Sequence, residues 1–129
     1  IFGAEALIRW NHPEKGVLSP YFFIDIAEGT GLILEIGLWV LNEGCKQLSV
    51  WSKDARTSNW VLAINASAKQ FTQENFVQQI KDAVNSHHIK YNNLKIELVE
   101  SMLVDDLQKT INKMNELRNL GVKISMDDF

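Results

Sequence analysis

Leu94-Lys95-Ile96-Glu97-Leu98-Val99, residues 94–99, is the stretch on which the fold turns. Apolar residues at 94, 96 and 98 alternate with Lys95 and Glu97. That is the period-two pattern of a strand with one face in a core. Three further segments read the same way: Gly3 to Arg9, Trp60 to Ala66, and Val122 to Asp127. Between them lie stretches of helical character. Ser19-Pro20 reads as the N-cap and first residue of a short helix to about Glu28, ended by Gly29 and Gly31. A longer helix is expected over about 32–53, its apolar face built from Ile33, Ile36, Val40, Leu41, Leu48 and Trp51. Another is expected over about 73–86, on Phe76, Ile80 and Val84. The last begins at Asp105-Asp106, two acids that suit a helix N-terminus, and carries Leu107, Ile111, Met114, Leu117 and Leu120 to a stop at Gly121. Asn11-His12-Pro13 reads as a loop and Glu14-Lys15-Gly16 as an exposed turn. Four β segments separated by helical crossovers describe a parallel α/β fold.

Parity along each strand sorts the side chains. Gly3, Glu5, Leu7 and Arg9 share one face of the first strand, opposite Ala4, Ala6, Ile8 and Trp10. In the other strands Asn65, Glu97 and Asp127 lie opposite the apolar positions and near the C-terminal ends. Lys95, Lys123 and Ser125 share that face. In barrels of parallel strands the site sits at the C-terminal rim. Four oxygen donors on adjacent strands converge there, and such donors without His or Cys select Mg²⁺ or Mn²⁺ over Zn²⁺. Asp128 follows directly and is placed to serve a second ion where the chain turns. A single carboxylate at a strand end is most often a helix cap or a solvated loop group. Four on one face shift the balance toward a site.

Composition narrows the partners. The chain has 129 residues, 46% apolar and 22% charged, enough for one domain with a core. Its net charge is −3 with no basic block, which argues against duplex nucleic acid. No apolar run approaches the ~20 residues of a membrane span, and nothing resembles a signal peptide. One cysteine, Cys45, cannot form an internal disulfide and suits a cytoplasmic compartment, though a parent protein could be membrane-tethered. Cys45 is expected as a small buried hydrophobe, and Trp39 and Trp51 as helix–sheet core. His12, His87 and His88 read as surface or loop residues. Ile1 opens on a strand and Phe129 closes one without a polar tail, so the chain is expected to be a piece of a longer protein.

A family resemblance adds to these readings. Gly3-Ala4-Glu5-Ala6-Leu7-Ile8-Arg9-Trp10 resembles the motif that names EAL domains. The likeness continues through Leu18-Ser19-Pro20, Thr30-Gly31-Leu32-Ile33, Ile64-Asn65-Ala66-Ser67, Gln70-Phe71, Glu97-Leu98-Val99-Glu100-Ser101 and Met126-Asp127-Asp128-Phe129, in order over the whole chain. The resemblance implies a modified (β/α)8 barrel that linearises cyclic di-GMP to 5′-pGpG with Mg²⁺ or Mn²⁺. It implies metal ligands at Glu5, Asn65, Glu97, Asp127 and Asp128, with Asp127 bridging two ions. It also implies substrate contacts at Leu7 and Arg9, and a loop-bracing glutamate at Glu100. Val99 stands where the family commonly has Thr. The antiparallel first strand, a Gly-rich loop and a later catalytic lysine lie outside residues 1–129. No catalytic residue is therefore assigned within them, and the 129-residue chain is expected to be a partial EAL domain with little turnover alone. Its open sheet edges lead us to expect self-association, as a homodimer of two halves or through swapped strands. Two rival roles stay open: a degenerate module that senses cyclic di-GMP without cutting it, and a half-domain used for protein interaction.

Overall fold

The computed structural model describes residues 3–99 and 107–127. Strands β1 (Gly3–Ala6), β4 (Val61–Asn65), β5 (Leu94–Val99) and β6 (Lys123–Asp127) form one sheet in that order, parallel throughout. Helix α2 (Leu32–Trp51) crosses from β1 to β4, α4 (Phe76–Ser86) from β4 to β5, and α5 (Leu107–Leu120) from β5 to β6. This is the expected α/β architecture: a four-stranded part of a TIM-like barrel.

The core lies between the sheet and these helices. Leu62, Ile64, Leu94, Ile96 and Leu98 supply the strand side. Leu41, Cys45 and Leu48 of α2, Ile80 and Val84 of α4, and Met114 and Leu117 of α5 cover them. Each large apolar side chain buried in this way contributes about 1.5–3 kcal/mol. Gly44 lets α2 approach the sheet closely, since a Cβ there would stand 2.7 Å from Ile64 Cδ1. Gly121, with φ +112, ends α5 in a conformation that favours glycine, and Val122 N–H donates back to the Leu117 carbonyl at 3.1 Å.

The local boundaries depart from the sequence reading in four places. The first strand stops at Ala6 instead of running to Arg9. Residues 10–18 form a small antiparallel hairpin, β2 (Trp10–His12) with β3 (Gly16–Leu18), where a loop and a turn were expected. His12 Nδ1 accepts from the Glu14 and Lys15 N–H groups, both at 3.1 Å, and so builds the turn. The helix expected from Ser19 to Glu28 is a 3-10 turn, Pro20–Phe22, followed by α1 (Ile24–Thr30), and Ser19 makes no side-chain cap. Gly31, not Gly29, breaks α1 from α2, with φ +81. The segment before α4 holds an extra short helix, α3 (Ala68–Phe71).

Trp39 also departs from expectation. It is 59% exposed and not part of the core. With Trp51, Val40, Gly44 and the β1 residues it borders an apolar groove of about 470 Å³ on the β1 side of the sheet. Trp51 is half-buried and meets Trp60 edge-on, ring centroids 5.1 Å apart. Cys45 is fully buried, as expected. Among the described residues no helix is long and apolar enough to cross a membrane.

Candidate functional site

Strand register decides whether the candidate oxygen donors can meet. Glu5 pairs with Ala63, Asn65 with Glu97, and Glu97 with Ser125. Residues opposed in a parallel pair share a face. Glu5, Asn65 and Glu97 therefore stand on one side of the sheet, opposite Leu62, Ile64, Ile96 and the helices. The Asp127 backbone pairs with Val99, two positions beyond the Glu97–Ser125 pair, in the same alternation. Adjacent strands lie about 4.8 Å apart, within reach of neighbouring side chains.

The row is a staircase. Asn65 lies two residues beyond Ala63, the partner of Glu5, and Asp127 two residues beyond Ser125, the partner of Glu97. The climb is thus four residues over the three steps from β1 to β6. A closed eight-stranded barrel of shear 8 shifts by about one residue per strand, so a staircase of this slope is close to level around such a barrel.

The donors are carboxylate and amide oxygens at strand ends, with no His or Cys at neighbouring inner positions. That chemistry fits a hard divalent cation. Glu5 and Asn65 are exposed and Glu97 half-buried. Among the described residues no three His, Cys, Asp or Glu side chains cluster closely enough to hold a metal ion. The Asp127 side chain, Asp128 and Glu100 lie outside the described residues, as do Asp105 and Asp106. Lys95 and Lys123 oppose each other directly, in the same row as Glu5 and Ala63.

Leu7 and Arg9 do not continue the strand face on which parity put them. With β1 ending at Ala6, residues 7–9 link β1 to the hairpin. Leu7 is 58% exposed, and Arg9 Nη1 donates to the Ile8 carbonyl at 2.6 Å. Both stand exposed just beyond the C-terminal end of β1.

The loop behind Asn65 is heavily braced. Ala66 N–H donates to the Glu97 carbonyl at 3.0 Å, which ties the end of β4 to β5. Ser67 Oγ caps α3 by accepting from Gln70 N–H at 3.1 Å. The Gln70 side chain is buried against Gly37 of α2, where a Cβ would meet it at 2.4 Å. Lys113 of α5 holds the far end of α3, donating to the carbonyls of Phe71 at 2.7 Å and Gln73 at 2.8 Å. Sequence reasoning gave none of these bracing residues a role. Ser67-Ala68-Lys69-Gln70 does fit the Ser-x-x-Gln pattern of a capping box, which was the available signal for α3.

Residues 1–129, the whole chain, match the family model described as EAL domain. The chain belongs to the EAL domain family. It is 39% identical over its full length to the bifunctional diguanylate cyclase/cyclic di-GMP phosphodiesterase MucR of Pseudomonas aeruginosa, of which it covers 19%. It is 40% identical over 98% of its length to the signaling protein YkoW of Bacillus subtilis, covering 16% of that protein. The solved structure of the PaMucR phosphodiesterase in its c-di-GMP complex superposes with a TM-score of 0.95 at 38% identity. That superposition takes in 100% of this chain and 52% of the other. This EAL chain therefore spans about a fifth of the curated relatives it matches and about half of that solved structure. EAL domains are in general metal-dependent.

Proposed function

We propose that this chain supplies the metal-ligating part of an EAL domain that hydrolyses cyclic di-GMP to 5′-pGpG, with Mg²⁺ or Mn²⁺ held by Glu5, Asn65, Glu97, Asp127 and Asp128. The observation that carries the reading is the shared face of Glu5, Asn65 and Glu97 in three adjacent parallel strands. The likeness of residues 1–129 to part of a cyclic di-GMP phosphodiesterase supports the substrate.

In this reading the sheet does the positioning. Parallel pairing fixes the backbone of each ligand strand, and the Ala66-to-Glu97 hydrogen bond locks the two central ligands side by side. A bound divalent ion supplies an activated water and offsets charge building on the phosphorus. Leu7 and Arg9, exposed at the rim, contact the ligand, Arg9 through a phosphate. Glu100 braces the loop after Asp127-Asp128-Phe129. The free thiol of Cys45 fits a reducing compartment, so the reading places the chain in the cytoplasm. It also pairs copies of the chain through the sheet edges at β1 and β6.

Titration with Mn²⁺, followed by electron paramagnetic resonance, tests the ligand set. The wild-type chain is expected to bind Mn²⁺ weakly, and Glu97→Gln and Asn65→Ala are each expected to weaken binding by about tenfold or more. Equal Mn²⁺ affinity in wild type and both variants would remove these residues from the site. In a parallel assay the 129-residue chain should convert little or no cyclic di-GMP.

A further inference from the structure

We propose that Lys113 is a positioning residue for Asn65, acting through helix α3; the metal role of Asn65 rests on the reading above, but the positioning does not. Three observations carry it. First, the ammonium of Lys113 donates to two carbonyls at the C-terminal end of α3, those of Phe71 and Gln73. It also lies 5.5 Å from the centre of the Phe71 ring, whose side chain is fully buried. A cation in this place satisfies the Phe71 carbonyl at the helix end and adds a second donor to the Gln73 carbonyl, which also accepts from Phe76 N–H at 3.1 Å. Second, α3 has only four residues, Ala68–Phe71, too few to hold its shape alone. It depends on what grips its ends. Ser67 grips one end and Lys113 the other. Third, Ser67 is two residues from Asn65, and the intervening Ala66 is tied to the Glu97 carbonyl. Any slackening of α3 is therefore transmitted over two residues to Asn65 and its alignment with Glu97.

The grip comes from α5, the helix that joins β5 to β6. Lys113 thus fastens the loop behind one candidate ligand strand to the crossover between the next two. Burial lowers the pKa of Lys113 from its ordinary value, with the charges of Glu116 and Glu74 acting against that shift.

Amide hydrogen exchange on the 129-residue chain tests the inference with Lys113→Met and Lys113→Arg. In Lys113→Met, the amides of Gln70 and Phe71 are expected to exchange about tenfold faster than in wild type, while those in α2 and α4 keep their rates. Arg carries donors suited to two carbonyls and is expected to restore most of the protection. Unchanged exchange at Gln70 and Phe71 would overturn the proposal. So would acceleration shared equally by α2 and α4, because that is loss of global stability and not of a local clamp. A second readout connects the clamp to the site: broadening of the Asn65 side-chain amide resonance by added Mn²⁺. Broadening in wild type that is reduced in Lys113→Met supports the full chain of argument. If Mn²⁺ leaves Asn65 unaffected in wild type, its ligand role fails, and the exchange rates still decide the clamp.

Discussion

Cys45 has no solvent exposure, and burial pushes its thiol up to about 12 from 9.0. Thiolate, not thiol, attacks labelling reagents, so the native state at pH 8 offers almost none. Labelling of Cys45 by an aromatic disulfide reagent is expected to follow unfolding, accelerating with urea in step with loss of helical signal. Fast labelling without urea would contradict the burial. The sign of the pH effect follows from the same shift. The unfolded thiol loses its proton near 9.0 and the folded one near 12, so between these values the folded state holds more protons. The Cys45 contribution is complete below pH 9 and declines as pH rises toward 12. At this scale much was legible from sequence. The alternation at 94–98 put Glu97 opposite the apolar positions, and the strand register agrees. Trp39 was not legible, because α2 carries apolar residues well beyond its core stripe: Leu38, Trp39 and Val50 are all exposed. A helical pattern alone does not reveal which apolar face the rest of a molecule covers.

Short elements were harder to read than long ones. The hairpin at 10–18 has three residues per strand, too few for a clear alternation, and Pro13 at its turn suggested a loop. Helix α3 lies before the helix expected over about 73–86 and is not legible by period, because four residues carry none. Such elements owe their shape to specific hydrogen bonds more than to propensity. The entry to β4 shows the same economy. Asn93, at the end of the 3-10 turn before β5, donates through Nδ2 to the carbonyls of Ser58 at 3.1 Å and Trp60 at 2.8 Å. One side chain thus joins the start of β5 to the start of β4, while Thr57 Oγ1, in the segment before β4, donates to the Trp51 carbonyl at the end of α2 at 2.6 Å. Asn93→Ala leaves two part-buried carbonyls without this donor. It is expected to cost about 1–2 kcal/mol, read as a lower urea midpoint. A midpoint equal to wild type would show that water replaces the amide without loss.

For the molecule as a whole, the sheet carries both the proposed site and the proposed contact between copies. Its inner face carries Glu5, Asn65, Glu97, Lys95, Lys123 and Ser125, polar groups that suit a ligand. Among the described residues its two edge strands, β1 and β6, each have one neighbour in the sheet. Open edges of this kind pair readily with another chain. Along β1 the edge adjoins the groove beside the exposed Trp39, so backbone pairing there also removes apolar surface from water. Lys123 is exposed on β6, and a lysine on an edge strand opposes pairing there. In the self-association proposed above, the β1 edge is accordingly the expected place of contact between copies. We expect the average mass of the 129-residue chain in light scattering to rise with concentration. Trp39→Lys, which places a charge at the groove, is expected to shift that rise to at least several-fold higher concentration while leaving the helical signal intact. A compact monomer at high concentration, or a Trp39→Lys variant that associates like wild type, would count against the β1 edge as the contact.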